Sequence, residues 1–241
     1  MQNSYSALGS WFEYLNSDCD YPTWSQYLIE RLASFNAGPA GIDIGCGNGY
    51  FTRALYRAGY SVRGIDISPQ MLSVAKTKAA EEGVPCEFLL GDITKLKLTG
   101  SVDFAVAIND CLNYVPPSKL HTAFVRVYSC LKRGGVFHFD ISSENKIRNV
   151  IADNLFGEDG EDISYLWFNT PRPDGVTMEL TFFVRGADGR YDRFDETHIQ
   201  YAHSEQSVVD ALKGAGFSQV YTQGHLGTDD KSQRINFTVL K

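Results

Sequence analysis

The chain has 241 residues, 43% hydrophobic and 21% charged, which is enough apolar material for one sizeable core. Lys and Arg number 22 against 29 Asp and Glu, a formal charge of −7, and the largest basic cluster is Lys132-Arg133. That balance argues against a partner held mainly through phosphate charge, so no nucleic acid is expected. No apolar run nears the roughly 18 residues of a membrane span, and the first residues lack the basic and apolar blocks of a secretion signal. A cytoplasmic protein without a membrane partner, monomeric or homodimeric, is the expectation.

In chain order, Trp24, Tyr27, Leu28 and Leu32 have helical spacing and predict a helix over 23–35, ended by Asn36-Ala37-Gly38-Pro39. From residue 40, strands over 41–44, 61–65, 86–90, 102–108 and 136–139 alternate with helices over 50–58, 69–82 and 118–131. Ser68 supplies a cap and Pro69 a first helical position. Strands separated by helices argue for a parallel sheet covered on both faces. After Asp140 the rhythm changes. Residues 163–169, 176–185 and 191–202 read as strands with no helix between them, and Asp188-Gly189 as a hairpin turn. Ser204 caps a helix to Ala215, Gly216 ends it, and 219–223 and 234–240 supply two further strands. The tally is seven core strands plus an antiparallel insert of about three.

Cys19, Cys46, Cys86, Cys111 and Cys130 form no CxxC, and the five histidines form no pair at metal-ligand spacing. Reduced thiols and no metal are expected.

Residues 41–51 read GIDIGCGNGYF. Gly45, Gly47 and Gly49 follow a strand and open a helix, where glycine permits a tight turn and a close approach to a ligand. A dinucleotide fingerprint would carry a small residue where this chain has Tyr50, which counts against a pyrophosphate and a nicotinamide oxidoreductase. Asp66 ends the second strand, about 20 residues past the loop, where a carboxylate accepts both hydroxyls of a ribose. Asp92 ends the third strand in LLGDI, placed toward an adenine amino group, and Asp43 can meet an ammonium or fix the loop. The pattern describes a nucleoside site with no pyrophosphate and a zwitterionic tail.

With these motifs the sequence resembles the class I S-adenosylmethionine-dependent methyltransferases over nearly its whole length. DIGCGNGYF resembles that family's first motif, GIDIS with PQML its second, LLGDI its third, and LKRGGVFHFDI the approach to its fifth strand. The resemblance implies an α/β, Rossmann-like seven-stranded sheet with its last strand antiparallel. It also implies S-adenosyl-L-methionine as cofactor and S-adenosyl-L-homocysteine as product. Carried over by position, Gly45, Gly47 and Gly49 would pass under the methionine part. Asp66 would bind the ribose, Ile67 and Met71 would flank the adenine, and Asp92 and Ile93 would border its amino end. Asn109 would lie near the cofactor amino group and the transferred methyl.

The N-terminal stretch and the insert resemble a subgroup acting on small molecules, including sugar-amine and glycine N-methyltransferases. This implies a helical lid over 1–35, a cofactor domain over 36–142 and 204–241, and an insert over 143–203 that roofs the acceptor pocket. Tyr21 and Trp24 of the lid are assigned beside the cofactor, with core packing as their alternative, and Tyr14 and Asn113 to the acceptor. Nucleobase-amino methyltransferases place an NPPY-like tetrapeptide where this chain has NDCLNY, 109–114, which counts against a nucleobase amine. In RFDETHIQY, Phe194, Glu196, His198 and Gln200 share one face. His198 is the expected general base, with Glu196 beside it. The expected reaction is in-line methyl transfer to a nitrogen or oxygen of a small molecule. The alternatives are an RNA-modifying methyltransferase and a catalytically silent cofactor-binding protein.

Overall fold

A computed structural model describes residues 19–97 and 102–241. The first part of the chain runs α1 (Tyr21–Ser34), β1 (Ala40–Ile44), α2 (Tyr50–Arg57), β2 (Ser61–Asp66), α3 (Pro69–Glu81), β3 (Glu87–Leu90), β4 (Val102–Ala107), α4 (Pro117–Cys130) and β5 (Leu131–Ser142). A π-helical turn, Lys146–Ile151, leads into β6 (Leu155–Asp159), β7 (Ile163–Arg172), β8 (Gly175–Arg185) and β9 (Tyr191–Tyr201). The chain then forms α5 (Glu205–Ala215), β10 (Gln219–Gln223) and β11 (Arg234–Leu240).

Seven strands make one sheet in the order β10-β11-β5-β4-β1-β2-β3. The pairs from β5 to β3 are parallel, and β11 runs antiparallel to both β5 and β10. Alternation along β4 sends Phe104 and Val106 to one face, where they pack with Trp24, Leu28 and Leu32 of α1 and Phe51 and Leu55 of α2. Ala105 and Ala107 face the other side, where α4 and α5 cover Phe137, Phe139 and Phe237. The strand order reverses direction of travel between β1 and β4, so a crevice opens there at the carboxyl ends of the strands, the usual ligand position in such sheets.

Local signals set the helix limits. Asp20 accepts the Thr23 N–H at 3.1 Å, so α1 starts two residues earlier than its apolar spacing suggests. Ser68 and Ser204 cap α3 and α5 as expected, and Gly216 ends α5 with φ 106°.

The inserted sheet has four strands, β6-β7-β8-β9, rather than three. LFGED carries too little apolar pattern to read as a strand, because β6 is an exposed edge. β7 continues through Pro171, past the point where β6 stops pairing, so the missing N–H of proline costs no ladder bond there. On the inner face of the insert, Val176, Met178, Leu180 and Phe182 lie directly opposite Gln200, His198, Glu196 and Phe194. Val176 and Met178 pack on Ile147 and Ile151, so this apolar row rests on the π-helical turn. No helix among the described residues is long and apolar enough to cross a membrane.

Candidate active site

The glycine loop divides into packing and open positions. All three glycines are left-handed, with φ of 69° at Gly45, 53° at Gly47 and 78° at Gly49. A Cβ on Gly45 would collide with the Cys111 sulfur, and one on Gly49 would meet the Phe88 ring at 2.7 Å. At Gly47 it would meet only the mobile end of Met71, at 3.2 Å. Gly47 is therefore the position where the backbone is left bare toward the crevice.

Asp66 closes on this loop from the end of β2. Its Oδ2 accepts the Gly47 N–H and its Oδ1 the Ser68 N–H, both at 2.8 Å. A carboxylate has about four acceptor positions, so room remains beside these bonds for a ligand hydroxyl. Burial raises the Asp66 carboxyl above the ordinary carboxylate range, opposed by those N–H bonds. Asp43 is 1% exposed and accepts the Thr52 hydroxyl at 2.6 Å. Burial pushes its pKa up to about 7, and the Asp66 charge adds to the rise. A carboxyl held this way is stabilised in its charged form by an incoming cation.

At the outer end of the crevice, Ile67 and Leu90 are 62% and 65% exposed, the most exposed large hydrophobic side chains among the described residues. Asp66 and Leu90 are cross-strand partners, and Met71 and Ile93 are buried nearby. Asp92 accepts the Thr94 N–H at 2.8 Å and its hydroxyl at 2.7 Å, capping the short turn at Ile93–Lys95. An open apolar wall beside carboxylates suits a planar base joined to a ribose. Leu90 could not be picked from the sequence, where it reads as an ordinary core leucine.

A third group surrounds the turn after β4. Asn109 and Asp110 both have left-handed φ, 63° and 50°. Asp140, fully buried on β5, accepts their two N–H groups at 2.7 and 2.9 Å. Arg234 of β11 pairs with Asp140 and reaches Asp110 at 3.2 Å, while Gln200 of β9 donates to Asp110 at 2.6 Å. Asp110, Asp140 and Arg234 were not singled out as site residues from the sequence, whereas Gln200 was read there only as a member of the polar row with Glu196 and His198. The one available signal was a carboxylate inside the apolar strand VFHFDI.

Glu196 and His198 are buried, 5% and 4% exposed, and His198 Nε2 lies 3.0 Å from Glu196 Oε2. Their row faces the Cys111–Tyr114 turn, with the Tyr114 ring 6.0 Å from that of His198. Asn113 has a different role from the expected acceptor contact. Its amide donates to the Ser142 and Tyr201 carbonyls and accepts the Ser142 N–H, bracing β5 against β9 with no donor left over. Trp24 is 1% exposed and packs between Phe51, His225 and the Arg234 guanidinium, so it belongs to the core rather than the cofactor wall. Tyr21 is buried against Tyr50 at 4.6 Å, beside the mouth of the glycine loop. Tyr14 lies outside the described residues. His138 is a core histidine bonded to Thr238, its pKa depressed to about 3 by burial.

A Rossmann-like seven-stranded sheet with an antiparallel last strand and a glycine loop after its first strand is the architecture of class I methyltransferases. Residues 42–135 match the methyltransferase domain family. The chain is 34% identical to a candidate methyltransferase of Geobacillus sp. (strain WCH70), covering 99% of this chain and all of that one. It superposes on an S-adenosylmethionine-dependent methyltransferase from Clostridium acetobutylicum ATCC 824 with a TM-score of 0.86 and 30% identity, over 95% and 94% of the two chains. An S-adenosylmethionine-bound amino pentose methyltransferase from Micromonospora echinaspora shares the fold, with a TM-score of 0.75 and 16% identity over 99% of each chain. The chain belongs to the S-adenosylmethionine-dependent methyltransferases, and S-adenosylmethionine is its cofactor.

Proposed function

We propose that the chain methylates a nitrogen or oxygen of a small molecule, and that it favours an amine over an oxyanion. The observation that carries this reading is the buried row Glu196, His198 and Gln200 on the inner face of the insert, tied through Gln200 to Asp110. Polar side chains buried there cost stability unless they serve a polar guest or one another.

S-adenosylmethionine supplies a methyl group already activated on a positively charged sulfur. The chain's own residues bind, orient and exclude water. Gly47 and Asp66 fix the nucleoside end, and Asp43 favours the cationic tail. His198 Nε2 and Glu196 Oε2 lie 3.0 Å apart, so Glu196 orients the imidazole. His198 takes the proton of the acceptor, with Glu196 as the positioning residue.

Charge favours the amine. Asp43, Asp66, Asp110 and Asp140 cluster around Cys111, with Arg234 as the cation against them. Methylation of an amine keeps a positive charge in this pocket until a proton leaves, whereas an oxyanion would have to enter against the carboxylates. The shared fold of the amino pentose methyltransferase supports the same direction.

Methyl-tritiated S-adenosylmethionine, offered with pools of amines, hydroxy compounds and carboxylates and with bulk transfer RNA, tests the proposal. Label should enter the amine pool. Label in RNA would overturn the small-molecule reading, and label confined to carboxylates would overturn the charge argument.

A further inference from the structure

The turn after β4 is held in a conformation that its sequence does not favour. Asn109 and Asp110 are consecutive non-glycine residues with positive φ, which L-residues adopt only at a cost. Asp140 offsets that cost, since its two oxygens each take one of the successive N–H groups. Successive N–H groups converging on one anion form a backbone nest, here filled by the chain's own carboxylate.

Arg234 locks the arrangement. It pairs with Asp140 and Asp110, donates to Asn109 Oδ1 at 3.3 Å, and lies over the Trp24 ring at 4.8 Å. With Gln200 on its other oxygen, the Asp110 carboxylate is directed from two sides. The next residue, Cys111, fills the space beside Gly45, so the turn abuts the glycine loop. Burial, reinforced by Asp66, Asp43, Asp140 and Asp110, pushes the Cys111 thiol far up, which places the turn and the cofactor carboxylates in one electrostatic neighbourhood.

Two carboxylates and one guanidinium leave this triad with one net negative charge. The cofactor loses its positive sulfur charge at each turnover, so a fixed negative charge on a turn that abuts the glycine loop acts on donor and product differently. We propose that Asp140 and Arg234 are positioning residues that lock the Asn109–Asp110 turn left-handed, and that the Asp110 carboxylate so fixed makes the site prefer the cationic sulfonium donor to the neutral thioether product. The preference speeds exchange of spent cofactor, and it stands on cofactor binding alone, whatever the acceptor.

Calorimetric titration of the whole chain with S-adenosylmethionine and S-adenosylhomocysteine, joined to hydrogen exchange over residues 108–114, tests both halves. Asp110→Asn should keep the turn protected, weaken the donor about tenfold and leave the product within about twofold. Asp140→Asn should lose protection in the turn while β1 and β4 keep theirs. Arg234→Lys, which retains the charge, should loosen the turn and shrink the donor preference. Equal weakening of both ligands in Asp110→Asn, or no change in either, overturns the selectivity. A fully protected turn in Asp140→Asn overturns the positioning role. Should Asp140→Asn not fold, turn protection in Arg234→Lys decides that point.

Discussion

Replacing Gly45, Gly47 and Gly49 one at a time by alanine separates the part of the loop that packs from the part that binds. All three have positive φ, so each alanine incurs about 1–2 kcal/mol of backbone strain. At Gly47 little is added, because the nearest atom is the flexible tip of Met71 at 3.2 Å. At Gly49 the new methyl meets the Phe88 ring at 2.7 Å and Ala75 at 3.0 Å, and at Gly45 it runs into the Cys111 sulfur. Overpacking of that kind adds roughly 1–3 kcal/mol. In a domain of this size 1 kcal/mol corresponds to about 2–4 °C in melting temperature, so Gly47→Ala should melt only a few degrees low and the other two clearly lower. The assay is a thermal melt with and without S-adenosylhomocysteine at a hundred times its Kd, which should stabilise the wild type by about 2.7 kcal/mol. Gly47→Ala should melt cooperatively yet lose most of that shift. A full ligand shift in Gly47→Ala, or a Gly45→Ala melt as high as that of Gly47→Ala, would refute the division.

Asp43 predicts a pH signature. Its carboxyl is raised from 3.8 to about 7, so the native state keeps a proton that the unfolded chain has lost. Stability should therefore fall as pH rises from about 4 to 7, and Asp43→Asn should flatten that slope in denaturant titrations. Cofactor binding should release part of this proton near pH 7, read as a buffer-dependent heat in calorimetry that Asp43→Asn abolishes. Asp66→Asn keeps the side-chain shape but loses charge and one N–H acceptor. It should weaken S-adenosylhomocysteine at least about tenfold, a charge-assisted bond being worth roughly 1.5–3 kcal/mol, and should also lower the melting temperature because Gly47 or Ser68 loses its partner.

What the sequence revealed depended on how local the signal was. Helices α2 to α5, the strands of the main sheet and β7 to β9 follow from apolar spacing, capping serines and glycine stops, all read within a few residues. The glycine loop and Asp66 were legible for the same reason: a strand end, a turn and a helix start are contiguous. The clamp on the Asn109–Asp110 turn was not, because Asp140 and Arg234 are 94 residues apart and meet only once β11 inserts antiparallel beside β5. Trp24 and Asn113 were assigned to ligands by type, aromatic and amide. The fold spends them on packing Arg234 and on bracing β5 to β9. β6 and the π-helical turn escaped because neither carries a clean period of 2 or 3.6.

The role of His198 is decided by the pH dependence of methyl transfer in His198→Gln, using an amine acceptor drawn from the labelled pools. Equilibrium affinity for S-adenosylhomocysteine is measured on the same preparation. Cofactor affinity should be unchanged and turnover lower by on the order of 100-fold at neutral pH, with the deficit shrinking at high pH as the acceptor sheds its own proton. Undiminished turnover at neutral pH, or loss of cofactor binding in step with turnover, would contradict it.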